Sequence, residues 1–551
     1  MTEARIVTRA DGVLREFNEI GVLAPADVHV ARRLTALAGE TDSAVLLALA
    51  LAVRAPRLGH VYVDLATIRD TATVDSDEPV DLSALPWPET GEWLAKVAAS
   101  PVLEGPLRLE GSSLYLDRYW REERQVAADL RALAEADAPP VDEATLSAGI
   151  AERLSDPRQA LAAETAVRRR FAVVAGGPGT GKTTTVAHIV ALLLEQQPNA
   201  LIALAAPTAV AAARLTDAMR EAGLHDIEAR TLHRLLGWRP GAHSRFRHDR
   251  GNRLPHDVVI VDETSMVSLS LMARLAEAVR PGARLILVGD PGQLTSIEAG
   301  AVLGDIAAVS DAVVVLDEVY RYDERIGRLA AAIREGDADA TVEALAAVTW
   351  IDDLEASLDP VRERAAATAR AVTAAAEAGD GARALAELGR FRLLCAHRRG
   401  PYGVSGWTAR IEEWTGAGGG DWYVGRPLLV TENDYWLQLF NGDTGVVITT
   451  APGEVVAAFE RVEVSPTRLA AVETVYAMTV HKAQGSQFET AAVVLPDPSS
   501  PILTRELLYT AVTRARTELI VVATEEAIRA AVGRPVARAT GLRGLLGQPG
   551  A

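Results

Sequence analysis

Apolar residues in this chain fall into short unbroken runs separated by amphipathic stretches. Four runs in one region, 171–175, 201–206, 258–261 and 285–288, contain no polar side chain. Runs of that length and purity predict strands buried on both faces, as in a parallel sheet. The stretch 184–194 after the first run reads as a helix, which makes the region α/β. Before it, 27–34 and 43–53 have helical spacing and 59–63 reads as a short strand, so residues 1 to about 125 are expected to be mostly helical. Beyond it, 365–376 is Ala-rich and helical. Residues 421–475 alternate apolar and polar positions between turn signals (Asn441-Gly442-Asp443, Ala451-Pro452-Gly453), which predicts a small inserted β-barrel. Residues 75–88 read as a surface loop and 137–142 as a linker, and the Gly- and Pro-containing tail after Arg534 reads as irregular.

The first run ends in Gly176-Gly177-Pro178-Gly179-Thr180-Gly181-Lys182-Thr183, followed by Thr184 at the start of the helix. Glycines let successive backbone N–H groups face one anion, and the helix start adds partial positive charge. In such a P-loop Lys182 reaches the β- and γ-phosphates of ATP and Thr183 holds Mg²⁺. The run 258–261 ends in Asp262-Glu263, which predicts Asp262 on the metal's shell and Glu263 as the base that orients and deprotonates water. Gln293, after the run 285–288, is a candidate γ-phosphate sensor. Gln159, just before the P-loop strand, carries an amide able to bond both edges of adenine; a solvated helix residue reads the same in isolation. Thr208, Thr231 and His233 follow or flank strand ends, where open sheets present ligands.

At 551 residues, 49% of them hydrophobic, the chain has room for three or four domains with sizeable cores. The apolar stretch 45–53 is too short to span a bilayer and the charged start is no signal peptide, so a cytoplasmic protein without membrane contact is expected. One cysteine, Cys395, excludes an intrachain disulfide and reads as a buried, inert thiol. Three lysines (Lys96, Lys182, Lys482) stand against 53 arginines, so a retained lysine marks a need for a compact ammonium. Lys96 has no visible role. The net charge of −18 argues against coating nucleic acid through overall charge and leaves room for a local basic groove; residues 1–145 alone hold 14 basic and 25 acidic side chains, a solvated surface or a partner face. Against that background 238–254 carries Arg239, Arg245, Arg247, Arg250 and Arg253 with one acid, Asp249. Its cations suit phosphates and Phe246 suits stacking on an unpaired base, although a solvated basic loop has the same composition.

Asp262-Glu263 followed by Gly289-Asp290-x-x-Gln293-Leu294-x-Ser296 resembles the superfamily 1 helicases. So do Val319-Tyr320-Arg321, 476–489 with Thr479, His481 and Lys482, and 508–516 with Arg514. The resemblance narrows to the RecD family, alpha subunits of exodeoxyribonuclease V, through 393–404, Gly425-Arg426-Pro427, Asn433-Asp434-Tyr435 and 440–445. It is strong from about Gln159 to Arg516 and weak in the N-terminal segment, where Gly59-His60-Val61 carries it. One departure is Thr208-Ala209-Val210, where the family commonly has Thr-Gly-Lys.

The resemblance implies two RecA-like motor domains, 146–320 and 321–535, closing on one ATP. Arg321 and Arg514 would be arginine fingers, 421–475 an SH3-like insert, 1–145 a mostly helical partner-binding domain and 536–551 a tail. It implies a 5′ to 3′ DNA helicase assembled with RecB-like beta and RecC-like gamma subunits, acting on single-stranded DNA and duplex ends. DNA contacts would come from Thr208, Thr231, His233, Arg245, Phe246, Arg247, Asn433, Thr479, His481 and Lys482, with 238–254 a candidate strand-separating hairpin. The alternatives are a stand-alone helicase, whose N-terminal hairpin motifs are missing from 1–150, and a non-hydrolysing ATP switch, which would need neither Glu263 nor the arginines.

Overall fold

Buried apolar strands can satisfy their backbones only by pairing, and the four runs do so in one parallel sheet. The computed structural model describes residue 7 and residues 12–74, 81–239, 246–296, 298–318, 323–352, 357–417, 420–434, 436–451 and 453–547. Its six-stranded sheet runs Ala229–Thr231, Ile202–Ala206, Val258–Val261, Arg284–Gly289, Phe171–Gly176, Val313–Leu316, every pair parallel. Register fixes what lies at its carboxyl edge. Val261 pairs with Leu287, which pairs with Val173, and Ala175 pairs with Gly289. Asp262, Asp290 and the first glycines of the P-loop are thereby brought to one end of three adjacent strands.

A second parallel sheet orders Thr349–Ile351, Ala515–Val522, Phe488–Val494, Phe391–Cys395, Ala477–Thr479. Cys395 ends its strand fully buried, and burial pushes its thiol pKa up, so it is inert as expected. The alternating segment forms a separate five-stranded antiparallel sheet: Glu463–Val464, Glu454–Phe459, Thr444–Ala451, Pro427–Val430, Val472–Thr474. Gly445 is obligatory there, because a Cβ would lie 2.6 Å from the Phe459 ring. The insert is held to the second sheet by Arg392. This fully buried guanidinium donates to the carbonyls of Val475 and Leu388 and stacks 5.4 Å from the Phe488 ring.

The N-terminal residues form helices Val13–Glu19, Pro25–Ala38, Ser43–Arg54 and Thr90–Ala98 around a three-stranded antiparallel sheet, Tyr62–Asp64, Ser113–Leu116, Leu107–Glu110. Asp42 caps the third helix by accepting from Ala44 N–H at 2.7 Å, and Trp93 is buried with its indole N–H on the Ala44 carbonyl. Lys96 makes ion pairs with Glu92 and Asp42 at the surface, a structural role of small energetic weight.

Two expectations change. The helix Asp117–Ala134 precedes the anticipated domain boundary, yet its Val126, Ala127, Leu130 and Leu133 share one core with Val173, Val259 and Leu285 of the first large sheet. The tail after Arg534 is not irregular throughout. It runs back as a strap that ends in a helix, Leu542–Gly547, with Leu542 fully buried in that same core. Its three leucines were masked by Gly and Arg neighbours, and only docking gives them a core to enter.

Under the strap Glu123 is buried, and its Oε1 accepts from the Thr540 hydroxyl and the Gly541 N–H at 2.8 Å each. Thr540 lies equally within reach of Asp305 at 3.0 Å, and one hydroxyl proton cannot serve both carboxylates. Burial pushes Glu123 up to about 7 against the pull of those bonds, and it pushes Asp305 up as well. The folded chain therefore keeps a proton that an unfolded glutamate, near 4.5, has lost. The contribution of Glu123 to stability should fall as pH rises through that window and level off above it. The difference in urea midpoint between the native chain and Glu123→Gln, followed from about pH 5 to about pH 7.5, should show this decline whatever the buried histidines add to both.

Among the described non-glycine residues, Glu263 (φ 52°) and Gln438 (φ 55°) hold left-handed backbone. L-residues pay about 1 kcal/mol or more for that region, and glycine almost nothing. Glu263→Gly should therefore be more stable than Glu263→Ala by about 1 kcal/mol in chemical unfolding, a comparison in which both variants lack the carboxylate.

Candidate nucleotide and nucleic-acid site

Strand Phe171–Gly176 delivers the chain into a loop that only glycine allows, with Gly179 at φ 81° and Gly181 at φ 77°. Gly181 caps the helix Lys182–Gln196, which puts Lys182, Thr183 and Thr184 in its first turn. The Lys182 ammonium donates to the carbonyls of Gly176 at 2.7 Å and Gly177 at 2.8 Å, and the Thr180 hydroxyl donates to Gly177 at 2.8 Å. Pro178 and Thr180 are buried and Thr183 is half-buried. A phosphate oxygen is a charge-assisted acceptor, roughly twice as strong as a neutral carbonyl, and would displace those contacts.

Beside the loop stand two carboxylates with too little positive charge between them. Asp262 is buried and accepts from Glu263 N–H at 2.8 Å. Burial first, and Glu263 second, push its carboxyl above the ordinary range, while Lys182 pulls it down. Asp290 is also raised by burial against the pull of Lys182. It accepts from Gly292 N–H at 2.9 Å, the Gln293 amide at 3.0 Å and the Tyr509 hydroxyl at 3.1 Å. An edge this rich in buried carboxylate favours a cationic ligand, and Thr183 and Asp262 are the side chains that would hold a divalent cation there.

The second sheet's domain closes over this edge. Tyr509 and Thr510, on the helix Arg505–Val512, reach across: Thr510 accepts from Leu294 N–H at 2.8 Å, and the Gln484 amide donates to the Leu294 carbonyl at 2.7 Å. A Cβ on Gly177 would sit 2.9 Å from the Tyr509 hydroxyl, so glycine there answers to the neighbouring domain as well as to the loop. Sequence reading left Asp290, Tyr509, Thr510 and Gln484 without a role. Asp290 did carry a signal, an acid closing a buried strand just as Asp262 does. The other three lie within motifs whose charged members drew attention.

Arg514, four residues beyond Thr510, is buried and donates to the carbonyls of Thr510 and Ser486 and to the Thr513 hydroxyl, all of its own domain. Arg321 and Arg245 lie outside the described residues. Gln159 sits on the first turn of Pro157–Arg168, half-buried, its N–H on the Asp156 cap at 3.4 Å.

The nucleic-acid candidates divide. Thr208 caps the helix Ala209–Glu221, and a Cβ on Gly485 would lie 3.6 Å from its hydroxyl, so the turn ahead of the strand Phe488–Val494 meets the start of that helix here. Thr479 accepts from Lys482 N–H at 3.3 Å, the Lys482 ammonium lies 3.5 Å from Glu473, and burial lowers the pKa of His481. Thr231 caps Leu232–Leu235, and the His233 ring lies 5.8 Å from that of Phe246. Phe246 packs partly into the core and pairs with Trp238, while Arg247 N–H bonds the carbonyls of Leu236 and Gly237. Two arginines of the basic segment are engaged within the fold. Asp129, from the distant helix Asp117–Ala134, takes Arg250 at 2.7 Å, and Arg253 donates to the Val279 carbonyl. Asn433 accepts from Asn441 N–H at 2.9 Å and so holds its own loop. Across from it, the Arg234 guanidinium lies 4.7 Å from the Phe440 ring, joining the insert to the first domain.

Residues 154–356 match the family model of an AAA domain, 474–522 that of a UvrD-like helicase C-terminal domain, and 19–115 that of the RecBCD enzyme subunit RecD, N-terminal domain. The chain is 51% identical to the RecBCD enzyme subunit RecD of Mycolicibacterium smegmatis, over 96% of this chain and 98% of that one. It is 49% identical to the same subunit of Mycobacterium tuberculosis, over 98% of both. With the ATP-dependent RecD2 DNA helicase of Deinococcus radiodurans it shares 32% identity over 73% of its own length and 54% of that protein's. A P-loop edge shared between two α/β sheets, joined to an N-terminal segment of this kind and to near-complete alignment with such relatives, means that the chain belongs to the RecD family of RecBCD enzyme subunits.

Proposed function

We propose that this chain is an ATP-dependent 5′ to 3′ DNA helicase, the motor subunit of a RecBCD-type exodeoxyribonuclease V that unwinds and degrades duplex DNA from its ends in recombinational repair of double-strand breaks. The observation that carries the reading is the engagement of Asp290 and Leu294, beside the P-loop, by Tyr509 and Thr510 of the second domain. A nucleotide edge roofed by a second domain makes hydrolysis responsive to how the two domains sit.

Lys182 exchanges the Gly176 and Gly177 carbonyls for phosphate oxygens, and the N–H groups of Gly179 to Thr184 take up the rest of the anion. Mg²⁺, held by Thr183 and through the shell of Asp262, would neutralise charge developing on the β- and γ-phosphates. Glu263, held in its strained conformation at the strand end, orients the water and takes its proton. Gln293, tied to Asp290, links the γ-phosphate to Tyr509 across the domain boundary. Arg321 and Arg514 stabilise the transferring phosphoryl group on closure, which requires Arg514 to leave the carbonyls of Thr510 and Ser486. Gln159 reads adenine.

Single-stranded DNA lies across the domain tops on Thr208, Thr231, His233, Thr479, His481 and Lys482, against the antiparallel insert, which we take to be SH3-like. Arg245, Phe246 and Arg247 approach the strand from the basic segment. The acidic N-terminal domain serves the RecB-like and RecC-like partners, and the nuclease centre resides in the beta subunit. We take the cytoplasm as its site of action; among the described residues no helix is long and apolar enough to cross a membrane.

Lys182→Gln should abolish ATP hydrolysis while the chain still folds and unfolds cooperatively in urea, its midpoint shifted by the loss of the ammonium beside Asp262 and Asp290; near-native turnover in this variant would overturn the site. Unwinding of tailed duplexes should require a 5′ tail and vanish in the same variant, and preference for a 3′ tail would overturn the polarity.

A further inference from the structure

The strap that follows Gly533 ties three parts of the molecule together within a few residues. On the side of the second domain, Arg534 donates to the carbonyls of Pro498, Ser500 and Leu503, and Val536 N–H donates to Glu506 Oε2 at 2.8 Å. Glu506 lies on the helix that carries Tyr509 and Thr510. Two residues later the chain is bound elsewhere. Arg538 donates to the carbonyls of Ser296 at 2.9 Å and Glu298 at 3.1 Å, on the loop after Gln293, and of Gly59 at 3.0 Å in the N-terminal domain. Ala539 completes the attachment: its N–H donates to His60 Nδ1 at 3.1 Å and its carbonyl accepts from Val61 N–H at 2.8 Å.

This attachment is built into its surroundings. The guanidinium fills the place of a side chain at Gly59, where a Cβ would stand 1.6 Å from Nη1. Burial and the adjacent Arg538 and Arg54 lower His60 to about 4, so its ring is a neutral acceptor for Ala539. Arg538 also bears on His481 of the second domain, lowering its pKa alongside burial. Gly59-His60-Val61, the part of the N-terminal segment singled out by resemblance alone, is thus the seat of the strap.

Geometry then restricts motion. From Val536 to Arg538 the chain can reach at most about 7 Å. While both ends stay docked, the separation of the helix carrying Tyr509 from the loop following Gln293 is bounded here by that reach plus the lengths of the Arg538 and Glu506 side chains, whatever happens farther out along the cleft. We infer that Val536–Ala539 is the pivot of domain closure, and that Arg538 is a positioning residue that transmits the state of the Gln293 loop to the N-terminal domain. The inference rests on the helicase reading above.

Amide hydrogen exchange on the full chain tests it, with and without a non-hydrolysable ATP analogue and oligothymidylate. Protection of the 177–183 amides by the analogue reports nucleotide binding, and its absence would sink the helicase reading rather than the pivot. Given that protection, Val61 and Ala539 should exchange slowly in every state. Acceleration by about tenfold or more on adding both ligands would mean that the strap undocks, which overturns the pivot. Arg538→Ala should raise the ATP consumed per base pair unwound by at least about fivefold while the KM for ATP stays within about twofold. Loss of both activities in proportion, with ATP per base pair unchanged, would reduce Arg538 to a structural role.

Discussion

Two carboxylates, Asp262 and Asp290, are buried at one sheet edge around a single ammonium, Lys182, and the site's other features follow from that imbalance. Burying an acid without a full counter-charge costs several kcal/mol unless it is protonated or ligated. Here the surroundings supply dipoles in place of charge: the N–H groups of Glu263 and Gly292, the Gln293 amide and the Tyr509 hydroxyl. The edge is thus prepared for cationic ligation, and the last of those dipoles belongs to another domain. Electrostatics at the P-loop and the arrangement of the two domains are the same problem seen from two sides.

What could be read along the chain was whatever depended on neighbours in sequence. The P-loop, the acids after 258–261 and the helices 27–34 and 43–53 declare themselves by spacing, because each is built by a local segment. The pairing of Arg250 was not legible for the complementary reason: Asp129, its partner, lies more than a hundred positions away. Leu542 looked like part of a loop because its core is assembled from Val126, Val259 and Leu285. Tyr509 is a neutral residue in a helix, and only the fold shows that its hydroxyl crosses to Asp290.

Arginine serves this molecule in a way that residue counts conceal. Arg392, Arg534 and Arg538 bind main-chain carbonyls in groups of two or three, joining segments that lie apart in sequence. A planar fork with five donors can do this, and an ammonium reaches fewer diverging acceptors. The near-absence of lysine is consistent with a scaffold that uses the fork for stitching and keeps the ammonium of Lys182 for the phosphate cradle.

Arg392 has a mechanical consequence. Its carbonyl partners are Val475, where the chain leaves the antiparallel insert, and Leu388, just ahead of the strand Phe391–Cys395. Main-chain acceptors do not swing on rotamers, so the joint is stiff. On the proposed reading, drag exerted on the insert by a moving strand would pass into the second sheet as a load on the inner strand Phe391–Cys395 rather than dissipate in a loose linker. On the proposed helicase reading, the insert would then act as a lever arm of the second domain.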